Sequence, residues 1–93
     1  MTDYDAQELG ALSQDLKRVA NFIGLGSPKS AERFLSEAVK GAEKIEQSEL
    51  PAYTLYYIRR IPQLPKVSDR IQLAEEALMI GCILQNAAVA AKH

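Results

Sequence analysis

One cysteine and one histidine are the residues best able to carry nucleophilic or acid–base chemistry in this sequence, and their placement argues against both. Cys82 stands inside ALMIGCILQNAAVAA, residues 77–91, while His93 is the final residue, where fraying is expected. A thiolate nucleophile needs a base held beside it, and an unanchored end cannot hold one. Cys82 is therefore expected to be a small buried hydrophobe with an unreactive thiol, and no catalytic residue is assigned.

Carboxylates are plentiful but not arranged for metal chemistry. Glu43, Glu46 and Glu49 recur every third residue on or near helix surfaces, and the adjacent Glu75 and Glu76 point about 100° apart on a helix. A di-metal bundle wants Glu-x-x-His from paired helices, which is absent. No metal and no cofactor are expected. GLGSPKS, residues 24–30, places glycines before a helix start, as an anion cradle would. It lacks the Walker spacing and a leading strand, so a turn between helices is the better reading.

The stretch PAYTLYYIRRIPQLP, residues 51–65, holds three of the six aromatic residues and three of the four prolines. Arg59 to Pro65 has the form of a basic residue followed by PxxP, which proline-recognition domains bind as an extended helix. Here the prolines have a plainer task, ending one helix and spacing the next. At helical spacing Leu50, Tyr53, Thr54, Tyr57, Ile58 and Ile61 share one face, expected to turn toward the core, and Ala52, Tyr56, Arg59 and Arg60 share the outward one. Exposed Tyr and Arg favour protein interfaces, so Leu55, Tyr56, Arg59, Arg60 and Lys66 form the candidate partner-binding surface.

The elements that must position these residues are helices. No hairpin signal appears, and apolar residues recur at threes and fours. Leu9, Leu12, Leu16, Val19, Ala20 and Ile23 make one stripe, and Ala31, Phe34, Leu35, Ala38, Ala42 and Ile45 another. Ser27 with Pro28, then Ser48, then Ser68 with Asp69, supply helix starts. The expectation is one domain, residues 1–93, built as an all-α antiparallel four-helix bundle with helices at roughly 4–23, 28–47, 49–61 and 69–91. The third helix is short, and an extended Pro-containing connector, Pro62 to Val67, precedes an apolar last helix.

That last helix is apolar nearly all round, so it is expected to pack centrally and to be buried on more than one side. Counted from Ala77, its apolar run is too short to span a membrane, where about 20 residues are needed. Ala74, Gly81 and Ala88 recur at sevens, with Ala77 four before Gly81, and such small residues let another backbone approach closely. Those four residues are the expected self-association seam of a homodimer. Small size supports this, since about 60–70% burial of the unfolded surface leaves a thin core in a chain this short.

Composition narrows the partners. A net charge of −1 with a pI near 5.8 lacks the cationic excess that neutralises phosphates, so nucleic acid is disfavoured. A single cysteine precludes an intrachain disulfide, no basic start leads into an apolar run, and the cytoplasm is the expected compartment. The leading functional expectation is a non-enzymatic helical protein-interaction module. The alternatives are a small DNA-binding regulator using the helix that begins near Ser27, with Lys29, Ser30 and Arg33 on it, and a ligand-binding bundle with a cavity bounded by Met79, Phe22 or Phe34.

Overall fold

A computed structural model of the chain describes residues 3–45 and 50–91. The chain is all-α: α1 (Asp3–Gly24), α2 (Pro28–Ile45), α3 (Ala52–Arg60), a 3-10 segment η1 (Ile61–Lys66), and α4 (Arg70–Ala91). Ser48, read as a helix start, the expected end of α2 at residue 47, and His93 lie outside the described residues. At about 1.5 Å per residue, the 22-residue α1 and α4 are each about 33 Å long, so either one nearly sets the 37 Å long dimension of the molecule.

α1 ends because Gly26 adopts φ +73°, a conformation that costs most residues steric strain and glycine none. The Ser27 amide donates to the Phe22 carbonyl (2.8 Å) and the Gly26 amide to Ile23 (3.1 Å), the paired bonds that close a helix in a left-handed cap. Pro28 then opens α2. At the start of α4 the cap is Asp69, whose Oδ1 accepts from the Gln72 amide at 3.0 Å.

The core is a single cluster to which every helix contributes: Leu9, Leu12, Leu16 and Val19 from α1, Leu35, Ala38, Ala42 and Ile45 from α2, Ile58 from α3, and Ala77, Ile80 and Leu84 from α4, all buried. α1 packs most extensively on α4 and next on α2, so α1 holds the central place that the apolar character of α4 led us to expect of the last helix. Burying an apolar face requires a complementary one, and α1 offers a continuous stripe of Leu and Val, whereas α4 spreads its apolar residues around its circumference and leaves one side in solvent.

Pro62 to Val67 is not extended. Ile61 keeps helical angles (φ −57°, ψ −47°) despite the following proline, and the chain tightens into the 3-10 turn η1. Residues three apart eclipse in that geometry, so Ile61 and Leu64 both point inward and are fully buried. Each such burial is worth about 1.5–3 kcal/mol, enough to outweigh the bias that proline places on its predecessor. Pro62 falls in the first turn of η1, where a missing N–H costs no internal bond.

Tyr53 also departs from expectation: it is 58% exposed, because the inward face of α3 centres on Thr54, Ile58 and Ile61 and the phenol falls at its margin. Thr54 takes the buried place, and its hydroxyl has no partner among the described residues.

Gly81 is buried against α1. A methyl added there would lie 3.1 Å from the Ser13 backbone oxygen and 3.3 Å from Lys17 Cγ, so the two helices approach more closely than a side chain at this position ordinarily allows. Ser13 Oγ, itself buried, donates to the Gly81 carbonyl at 2.7 Å. A methyl at Gly10 of α1, by contrast, would meet nothing within 4 Å.

Two stability outcomes follow. Gly10→Ala is expected to stabilise by about 0.5–1 kcal/mol through helix propensity, while Gly81→Ala is expected to destabilise by about 1 kcal/mol net as crowding outweighs that gain, both read from thermal unfolding. Leu64→Ala should cost about 2–5 kcal/mol and Gln63→Ala within about 0.5 kcal/mol in urea titration; equal effects at the two positions would show that η1 is only a tether.

Candidate partner-binding surface

Tyr56 anchors the exposed side of α3. It is 66% exposed, and its ring meets the Tyr57 ring edge-on, with centroids 5.0 Å apart and planes at 89°. Tyr57 is itself half-buried against the core, so it braces Tyr56 from within. One turn on, Arg60 Nη2 donates to Glu76 Oε1 of α4 at 2.6 Å. That hydrogen bond, and then the carboxylate's charge, hold the Arg60 guanidinium protonated beyond its ordinary range.

Ala52, Tyr56, Arg59, Arg60 and Gln63 line a shallow groove of about 490 Å³. Of the expected surface residues, Tyr56, Arg59 and Arg60 come together here. Leu55 is half-buried outside the groove. Lys66 is exposed at the far end of η1, its ammonium donating to Gln63 Oε1 at 3.3 Å, so it adjoins the groove through Gln63. Ala52 and Gln63 were not among the expected residues. Positions 52, 56, 59, 60 and 63 nevertheless follow helical spacing, and reading Pro62 as a break is what hid the last of them.

The small residues expected to form a dimer seam lie inside the chain. Ala77, Gly81 and Ala88 are buried and Ala74 is half-buried, and the backbone that approaches Gly81 is α1. Small size does invite a close neighbour, and within this fold the neighbour is intramolecular. Cys82 corrects a second expectation: it is exposed, since seating Gly81 against α1 turns the next side chain about 100° away. The last helix keeps its expected extent, 69–91, to within a residue. α4 starts at Arg70, and Arg70–Ala90 is long and apolar enough to cross a membrane by length and composition alone, although its inner face is filled by α1.

Phe22 and Phe34, two of the residues expected to bound a cavity, pack on each other. Their rings stack at 5.5 Å with planes 3° apart, Arg18 lies 5.3 Å over Phe34, and Met79 is exposed elsewhere. An apolar cleft of about 390 Å³ does exist at one end of the bundle, floored by Val19, Ile23, Leu35, Pro65, Val67 and Leu73, with Glu32 and Arg70 on its rim.

A third groove, between α1 and α2, carries Glu8, Asp15, Glu37 and Glu43 alongside Lys40 and Lys44. Burial raises the Asp15 carboxyl above its ordinary range, the Arg18 charge opposes this, and Glu37 adds to it. The same α2 exposes Lys29 and Arg33 beside Glu32 and Glu37, so its outer face alternates in sign.

Compared with known protein families, curated proteins and solved structures, the chain matches none.

A carboxyl whose folded pKa is raised is penalised when ionised, at pH above that value, and the penalty vanishes below its unfolded pKa. Asp15→Asn should therefore raise the melting temperature slightly at pH 7, with the difference from the parent protein fading as pH falls through the carboxylate range in a melting series.

Proposed function

We propose that this chain is a non-enzymatic helical protein-interaction module, an up-and-down antiparallel bundle that presents the outer side of α3 and η1 to a protein partner. The bundle arrangement is supported by the end cleft, which collects the last turns of α1, the first turns of α2 and the first turn of α4 at one place. The observation that carries the functional reading is the braced Tyr56 beside Arg60, with Arg59 and Gln63 completing the groove. Aromatic and arginine side chains held in place before binding lose little freedom when a partner docks, which is the usual character of an interface hot spot.

The chemistry of the groove indicates the kind of partner. Arg59 and Arg60 line it and Lys66 stands at its end, so an acidic segment with one apolar or aromatic anchor suits it. Glu76 fixes the direction of the Arg60 side chain, and Arg59 lines the same groove. A second reading, a bundle that takes a small apolar ligand, is favoured by the end cleft, whose volume falls within the range of ligand pockets.

The test is binding to a partner identified by co-purification and mass spectrometry and then purified. Tyr56→Ala with Arg59→Ala should weaken that complex by about a hundredfold, the loss of two hot-spot side chains, with the circular dichroism spectrum unchanged. Undiminished affinity in a folded double variant would move the interface away from α3.

A further inference from the structure

We infer that the solvent side of α4 is the docking surface for a second copy of this chain, packed antiparallel about a two-fold axis at the level of residue 80. This surface is separate from the α3 groove and from the small residues buried against α1. Ile71, Glu75, Leu78, Cys82, Gln85 and Val89 are all exposed and fall at alternating spacings of four and three, the repeat of a helix seam. Ile71 is 72% exposed, Val89 51% and Leu78 47%. An amphipathic surface helix would place polar residues here, and α4 places four apolar ones.

The choice of a second copy rests on the order of residues along the stripe, which reads the same from either end: apolar, polar, apolar, apolar, polar, apolar. Turned about its midpoint, it sets Ile71 against Val89, Leu78 against Cys82 and Glu75 against Gln85, each pair formed twice by symmetry. The polar pair is complementary in hydrogen bonding as well as in position, a carboxylate acceptor against an amide donor. Gln85 Oε1 already accepts a hydrogen bond from the Lys17 ammonium of its own chain, which leaves the Gln85 amide N–H groups, with a cation beside them, to face the incoming Glu75 carboxylate. A parallel pairing would instead oppose Glu75 to Glu75, which like-charge repulsion disfavours.

From Ile71 to Val89 the seam runs about 27 Å. One helix seam of that length lies at the small end of stable interfaces, so dimerisation in the range of about 10–100 μM is expected.

Sedimentation equilibrium of the whole chain under reducing conditions, from about 1 μM to 1 mM, reads this directly. The parent protein should pass from monomer to dimer, and Leu78→Glu should remain monomeric; Ile71→Glu serves as the second variant, and both positions are exposed enough to leave the helical spectrum intact. Orientation is read by charge exchange. Gln85→Glu sets a second carboxylate against Glu75 of the other copy and should weaken the dimer about tenfold, and adding Glu75→Lys should restore it to about twofold of the parent. In a parallel dimer the added change cannot rescue, because each position meets itself. A monomer throughout the range, a dimer indifferent to Leu78→Glu and Ile71→Glu, or weakening without rescue would each overturn the assignment.

Discussion

The close approach of α4 to α1 at Gly81 is the contact on which the rest of the molecule depends. Without a side chain at this position, α4 rests on the backbone and side chains of Ser13, Leu16 and Lys17, and the buried Ser13 hydroxyl joins the two helices through the Gly81 carbonyl. Because these are the two longest helices, fixing their contact fixes both the length of the bundle and the rotation of α4 about its own axis. That rotation decides which apolar residues of α4 enter the core and which face outward. Ala77, Ile80 and Leu84 go in; Ile71, Leu78, Cys82 and Val89 stay out. The outward stripe is thus a consequence of the same glycine that makes the interior tight.

A similar economy governs α3 and η1. The two prolines punctuate the chain, yet they do not release it into a linker, because Ile61 and Leu64 gain more by burial than proline costs in local geometry. The 3-10 turn continues the helical direction for six residues, so Tyr56, Arg60 and Gln63 remain neighbours across the element boundary. Arg60 then ties the outer side of α3 to α4 through Glu76. The groove is consequently a feature of two packed elements and has a supported shape.

The stripes of α1 and α2 could be read from spacing because each is one-sided: Leu9, Leu12, Leu16 and Val19 are buried, as are Ala31, Leu35, Ala38, Ala42 and Ile45. Strong turn chemistry made their junction equally legible, since Gly26 at positive φ and Pro28 after it leave little choice of where one helix stops and the next starts. The faces of α4 were not legible. When apolar residues surround a helix, periodicity carries no information about orientation, and the inward side is selected by which partner fits most closely. Tyr53 and Cys82 were misplaced for related reasons, one at the margin of a face and the other on a helix without a clear face.

The sequence by itself determined that this chain is helical, where α1 gives way to α2 and where α4 begins to within a residue, and that Tyr56, Arg59 and Arg60 share one side of α3. Those properties are local, set by propensity, capping and the 3.6-residue repeat. Only the tertiary structure decided that Gly81 faces α1, that α1 holds the centre, and that η1 is a folded part of the core. Each of these depends on which surfaces meet across long stretches of chain, and close packing resolves choices that local preference leaves open.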